Sequence, residues 1–242
     1  MELRNKTALV TGGAHRVGKA ISLALGERGC SVVIHYHASE DAAQETVGEL
    51  RSLGVQALHL QADLRRIDEL ESLFQAVDKI GWGLDVLVNS AAIMEAVDLQ
   101  RATEGDWRRS IDLNLKAAFF CIQRAAQRME DSGGAIVNIS DVAGLRPWKR
   151  FPIHSISKAG VEMLTKTAAL ALAPEIRVNA VAPGPVLKPS WMSDGRWEEI
   201  GAELPLARPG TAEDVAKAVV FLCENPFITG ENLVADGGLN LV

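Results

Sequence analysis

The sequence predicts a single α/β domain, a doubly wound, seven-stranded parallel sheet with helices on both faces. Short apolar, β-branched runs alternate with longer helical stretches along the whole chain. Those runs are apolar along their length rather than alternately apolar and polar, as in sheets buried on both faces. The chain has 242 residues, 48% of them hydrophobic, which suffices for one large core.

The elements follow in order. Residues 7–10 read as the first strand, entering a glycine-rich turn, and 14–28 as a helix with Ile21, Leu23, Ala24 and Leu25 supplying apolar contacts. SVVIHY (31–36) is the second strand, and Ser39 then caps a helix to about residue 53. Strand 56–60 and helix 67–80 come next, then strand 84–89 (LDVLVN) and one long helix over 103–129. Strand 135–140 (AIVNIS), helix 153–173 and strand 177–182 (RVNAVA) continue the alternation. A helix over 211–223, with Glu213 and Asp214 in its first turn as the helix dipole favours, precedes a last strand at 232–235. Residues 183–209 are irregular, with five prolines, Trp191 and Trp197. They follow a strand at the edge where ligands bind in such sheets, which predicts a lid over a substrate pocket.

Composition excludes several roles. A formal net charge of −6 provides no attraction for nucleic acid or an anionic membrane. Cys30, Cys121 and Cys223 are far apart, without metal-ligand spacing, and read as buried free thiols in a reducing compartment. The N-terminal MELRNKTALVTGG lacks the apolar stretch of a signal peptide. No apolar run reaches the roughly 18 residues needed to span a bilayer. A cytoplasmic protein is expected.

The first turn, Thr11-Gly12-Gly13-Ala14-His15-Arg16-Val17-Gly18, joins the first strand to the first helix. Gly12 and Gly13 permit a tight turn and close approach of a pyrophosphate, and Gly18 permits close packing of helix on sheet. Free N–H groups at the helix start then face the phosphates. This is the cradle of a Rossmann dinucleotide site. The second strand ends in His35-Tyr36-His37-Ala38-Ser39, with no carboxylate before Glu40. A carboxylate there would bond the adenosine 2′-hydroxyl of NAD and repel a 2′-phosphate. Its absence favours NADP over NAD, with Arg16, His37 and Ser39 as partners for the phosphate and Tyr36 beside them.

Over nearly its whole length the chain resembles the short-chain dehydrogenase/reductase family. The resemblance rests on TGGAHRVG at 11–18, Asp63-Leu64, Asn89-Ser90-Ala91-Ala92, Asn114 within DLNLKAAFF, NIS-Asp141 at 138–141, Lys158, Pro183-Gly184-Pro185-Val186 and ITGENLVADGG at 228–238. It implies that Asp63 bonds the adenine amino group, that Asn89 holds the central strand edge against the cofactor, and that the turn at Pro183, Gly184 and Val186 lies against the nicotinamide. It also implies a homo-oligomer, tetramer or dimer, paired through the two longest helices. The family uses an Asn-Ser-Tyr-Lys tetrad. Asn114 and Lys158 match, but Asp141 stands at the serine position and His154 at the tyrosine position, and the only tyrosine is Tyr36. Arg16 in a TGxxxRxG cradle, Asp141 and the HYHAS stretch are similar to the pteridine reductase branch. That branch stacks pterin on an aromatic residue where this chain has Ile93.

Neutral imidazole is a poor proton donor, because loss of its N–H leaves an imidazolate; His154 donates only as imidazolium. A nearby ammonium disfavours that form and a nearby carboxylate favours it. Three readings follow. Asp141 and His154 form a pair that supplies the proton. Alternatively, the substrate is an imine or activated alkene needing little acid help. In the third, chemistry is lost and the chain is an NADP(H)-binding sensor or scaffold. The first predicts an NADPH-dependent reductase of a small carbonyl, imine or pterin-like compound. Met94, Trp148, Phe151, Trp191 and Met192 are candidate pocket walls.

Overall fold

In the computed structural model, which describes residues 1–242, seven parallel strands form one sheet in the order β3-β2-β1-β4-β5-β6-β7. The strands are β1 (Thr7–Thr11), β2 (Ser31–Tyr36), β3 (Ala57–Gln61), β4 (Val86–Asn89), β5 (Gly134–Ile139), β6 (Ile176–Pro183) and β7 (Asn232–Ala235). The helices are α1 (Arg16–Glu27), α2 (Glu40–Ser52), α3 (Ile67–Ile80), α4 (Glu104–Ile111), α5 (Ala117–Met129), α6 (Pro152–Leu172), α7 (Asp194–Glu203) and α8 (Ala212–Glu224).

The pleat of each strand divides its side chains between two cores. On β1, Ala8 and Val10 pack with Ile21 and Leu25 of α1, Leu50 of α2 and Val215 and Val219 of α8. Leu9 points the other way, to the core built by Phe74 of α3, Cys121 and Met129 of α5 and Ala168 of α6. The winding direction reverses between β1 and β4. There Thr11 pairs with Asn89, and Asn89 with Asn138, so three adjacent strands end together. A crevice outside the carboxyl ends of strands at such a reversal is where doubly wound sheets hold ligands.

All three cysteines are buried free thiols, as expected, and burial pushes each up to about 12, which leaves them inert. No helix is long and apolar enough to cross a membrane. The sequence expectation fails at three places. The helix over 103–129 is interrupted by a π-helical turn, Asp112–Lys116. The wider turn turns the buried Asn114 side chain onto the backbone of Ile93, where Oδ1 accepts from the Ile93 N–H and Nδ2 donates to its carbonyl, both at 2.9 Å. The segment 183–209 is not irregular throughout. Ser193 accepts the Arg196 N–H and starts α7 inside it. Ser39 holds the N-cap position of α2, but its hydroxyl makes no bond to the helix. By contrast Thr211 caps α8 through a full capping box with Asp214, which adds to the dipole effect expected of that acid.

Candidate functional site

A groove of about 900 Å³ runs along the carboxyl ends of the strands. Gly12, Arg16, Val17, Gly18, Tyr36, His37, Ser39, Asp63, Leu64 and Ala91 line one end. Asp141, His154 and Lys158 lie further along it, with Pro183, Gly184 and Val186. Asn89 and Asn114 do not line it. The Asn89 amide donates to Asn138 Oδ1 at 2.9 Å, and Asn114 is engaged with Ile93. Both asparagines shape the groove from behind.

The cradle turn is held on two sides. Thr11 Oγ1 accepts the N–H groups of Ser90 and Ala91 at 3.0 and 3.2 Å, tying it to the end of β4. On the other side, the Gly12 N–H donates to His35 Nδ1 at 3.1 Å and the Gly13 N–H to the His35 carbonyl at 3.1 Å. Two cradle N–H groups therefore point into the protein, and the donors left for an anion come from the start of α1. Gly12 has φ +64°, and a Cβ on it would lie 3.0 Å from Ala91 Cα. A Cβ on Gly18 would lie 2.1 Å from the Gly12 carbonyl oxygen. Gly18 is thus required by the turn itself, not by the sheet as its position suggests. Arg16, exposed, sits at φ +57°, a left-handed conformation that non-glycine residues adopt at a penalty of about 1 kcal/mol.

At the same end, Asp63 receives Arg65 through two guanidinium bonds, 2.8 Å to Oδ1 and 2.7 Å to Oδ2. The Arg65 side-chain bonds hold the Asp63 carboxyl down to about 2. Arg65 lines the groove, as does His35. Neither was singled out by sequence motif; a histidine inside an otherwise apolar strand was the available signal for His35.

His35 also makes a measurable demand on the fold. It is 2% exposed, and burial pushes it from 6.5 down to about 4. Between those values the unfolded chain binds the proton that the folded chain refuses. Stability is therefore full above the ordinary histidine value and falls as pH drops toward about 4, by roughly 3 kcal/mol from this group. Urea melts across that range should show the decline, and His35→Asn should flatten it.

The reacting end is built by α6 and the turn after β5. Pro152 starts α6, and His154 and Lys158 lie one helical turn apart on its inner face, 4% exposed each. Asp141 caps the short turn Val142–Gly144, with Oδ1 accepting the Ala143 N–H at 2.7 Å. That leaves Oδ2 facing His154 Nε2 at 3.3 Å. His154 Nδ1 lies 3.1 Å from the Ile93 carbonyl. A carbonyl only accepts, so Nδ1 carries a hydrogen and donates it. Asn114 Nδ2, 3.4 Å from the same nitrogen, already directs its two hydrogens to the Ile93 carbonyl and to Ser157 Oγ at 3.0 Å. With Nδ1 protonated, Nε2 and Oδ2 face each other across one bond. Two lone pairs would repel there, so the contact is favourable only when a proton is shared between them, and such a shared proton is one the pair can give up to a substrate. Lys158 Nζ donates to the Ile139 carbonyl at 2.6 Å, and burial pushes it down to about 8, against the favourable charge of Asp141. The walls beyond are apolar and aromatic: Ile93, Met94, Trp148, Phe151, Trp191, Met192 and Trp197. The Arg150 guanidinium lies 4.7 Å from the Trp191 ring centroid.

Comparison with known proteins agrees with this architecture. Residues 12–240 match the family model described as enoyl-(acyl carrier protein) reductase. A 3-oxoacyl-[acyl-carrier-protein] reductase of Staphylococcus epidermidis is 37% identical over 241 residues, 97% of this chain and 99% of that protein. Acetoin dehydrogenase of Salmonella typhimurium superposes with a TM-score of 0.90 at 33% identity, over 98% of this chain and 96% of that one. Alternative dihydrofolate reductase 1 of Brucella suis, solved in complex with NADP, superposes with a TM-score of 0.93 at 34% identity, over 100% of this chain and 97% of that one.

Proposed function

The chain belongs to the short-chain dehydrogenase/reductase family of oxidoreductases, whose fold binds a nicotinamide dinucleotide, and from that premise we propose that it is an NADPH-dependent reductase of a small carbonyl, imine or pterin-like compound. The observation that carries the proposal is the approach of Asp141 Oδ2 to His154 Nε2, 3.3 Å apart at the groove.

The residues present fit the cofactor. Gly12 and Gly18 permit the tight turn that a pyrophosphate cradle needs, because a Cβ on either would meet backbone atoms of the turn or of Ala91. Val17 and Gly18 at the start of α1 would receive the pyrophosphate, Arg16, Tyr36, His37 and Ser39 would flank the 2′-phosphate, and Asp63, Leu64 and Ala91 the adenosine. Lys158 would hold the nicotinamide ribose, and Pro183, Gly184 and Val186 would flank the ring. When bound, the reduced nicotinamide supplies hydride. The Asp141–His154 pair supplies the proton to the heteroatom that takes up the electron pair, worth about 10²–10⁴ in rate. His154 and Asp141 take the places of the family's tyrosine and serine. Asn114 keeps the Ile93 carbonyl aimed at Nδ1. The Lys158 ammonium, lost as pH rises through about 8, sets an alkaline limb for kcat/KM.

NADP is favoured by the missing carboxylate after β2 and by the NADP complex of the Brucella suis neighbour. The pteridine reductase branch is favoured by Arg16, Asp141 and that neighbour, described as an alternative dihydrofolate reductase. The segment 183–209 acts as a lid, supported by Trp191, Met192 and Trp197 on the groove wall. A homo-oligomer paired through α5 and α6 accords with exposed Phe119, Met163 and Leu170; light scattering measures it.

The test follows NADPH absorbance with a panel of ketones, quinones, imines and dihydropterins from weakly acidic to neutral pH. Oxidation with at least one class is expected. Tight NADPH binding without oxidation across the panel would instead make the chain a cofactor-binding sensor or scaffold. Specificity has its own check. Arg16→Gly should leave stability within about 1 kcal/mol, since glycine accepts the left-handed backbone. It should weaken NADPH binding roughly 10–100-fold, the worth of one charged hydrogen-bonded pair, and leave NADH binding unchanged.

A further inference from the structure

His35 is buried in β2, touches no reacting group, and has both ring nitrogens engaged. The Gly12 N–H can only donate, so His35 Nδ1 carries the lone pair that accepts it at 3.1 Å. The hydrogen of the neutral ring is then on Nε2, which donates to the Ala62 carbonyl at 3.0 Å. The backbone of the same residue takes the Gly13 N–H at 3.1 Å. One imidazole therefore ties the phosphate turn to the residue before Asp63, at the end of β3. The turn has no slack on its far side, where Gly12 abuts Ala91 and Thr11 is bonded to Ser90 and Ala91. The charged or titratable groups near the ring are His37 on its own strand end and Asp63 after β3, the latter paired with Arg65.

We propose that His35 is a positioning residue for the dinucleotide, fixing the phosphate turn relative to the adenosine-binding end so that both meet one cofactor at once. The proposal rests on the reading of the groove as a dinucleotide site. His35 acts on what NADPH and NADH share, whereas Arg16 acts on the 2′-phosphate alone. Removal of the imidazole frees the Gly12 N–H and loosens the turn, and the cofactor must then order it on binding.

The experiment measures NADPH and NADH affinity by calorimetry for wild type, His35→Ala, His35→Asn and His35→Gln, with a thermal melt of each. In His35→Asn the side-chain oxygen takes the place of Nδ1 as acceptor for the Gly12 N–H. In His35→Gln the longer amide reaches toward Ala62 instead. His35→Ala should bind both dinucleotides roughly 10–100-fold more weakly, in equal proportion, and His35→Asn should recover to within about threefold of wild type. Wild-type affinity in a cooperatively folded His35→Ala overturns the proposal, as does a loss confined to NADPH. If His35→Ala does not fold, the other two decide: tighter binding by His35→Asn than by His35→Gln supports the proposal, and equal or reversed order overturns it. Wild-type protein that binds neither dinucleotide overturns the reading of the groove itself, a separate result.

Discussion

Asp141→Asn should lower kcat for NADPH-dependent reduction by about 10²–10⁴-fold while NADPH affinity stays unchanged. The substitution is nearly isosteric, and the amide oxygen can still accept the Ala143 N–H that Asp141 Oδ1 accepts. The transferable proton is what disappears. The Ile93 carbonyl keeps the hydrogen on His154 Nδ1, so the asparagine amide donates to the Nε2 lone pair. That bond is satisfied and neutral, and an amide does not give up a proton to a developing alkoxide or amide ion. Steady-state rates set beside equilibrium NADPH binding separate the two effects. Equal rates in wild type and variant would mean that solvent supplies the proton and that Asp141 is only a turn cap. His154→Tyr is the companion variant: a large gain in rate would mark the histidine as an acid lost rather than one specialised.

Gly18→Ala should abolish dinucleotide binding, a loss of more than about 100-fold, and destabilise the fold by about 1–3 kcal/mol. The added Cβ would stand 2.1 Å from the Gly12 oxygen, 2.8 Å from the Gly12 carbonyl carbon and 3.0 Å from Gly13 Cα. All three are backbone atoms, and the bonds from His35 and Thr11 keep that backbone from retreating. Gly48→Ala is the matched control. Gly48 lies within α2 with nothing within 4 Å of the new methyl group, so alanine there should be neutral or stabilising by up to about 1 kcal/mol. Calorimetric titration and thermal melts of both variants check the pair. A Gly18→Ala protein that binds NADPH normally would place the cofactor elsewhere.

The strands were legible because a sheet covered on both faces writes itself as uninterrupted apolar runs; 31–36 and 232–235 match the structure to the residue. The break in the helix over 103–129 was not legible. It depends on Asn114 meeting Ile93, twenty-one residues earlier, and local periodicity does not encode such a meeting. Helix α7 was hidden because prolines on both sides suggested a loop, although Ser193 offers an ordinary cap. At the site, residue types and spacing placed His154 and Lys158 one turn apart, since helical period alone does that. The hydrogen on His154 Nδ1 could not be read, because it is set by a backbone carbonyl with no signature in the side-chain sequence. His35 escaped for a similar reason: its partners are the amide of Gly12 and the carbonyl of Ala62.

If Arg16 pairs with the 2′-phosphate as proposed, its exposed position should make cofactor choice depend on the medium. A solvent-facing charge is attenuated by dissolved ions over about 8 Å at physiological ionic strength, and over less as salt is added. Discrimination between the two dinucleotides should therefore narrow in concentrated salt. The turn shaped by His35 acts through contact and uncharged hydrogen bonds, which ions barely touch, so recognition of the common portion should persist there.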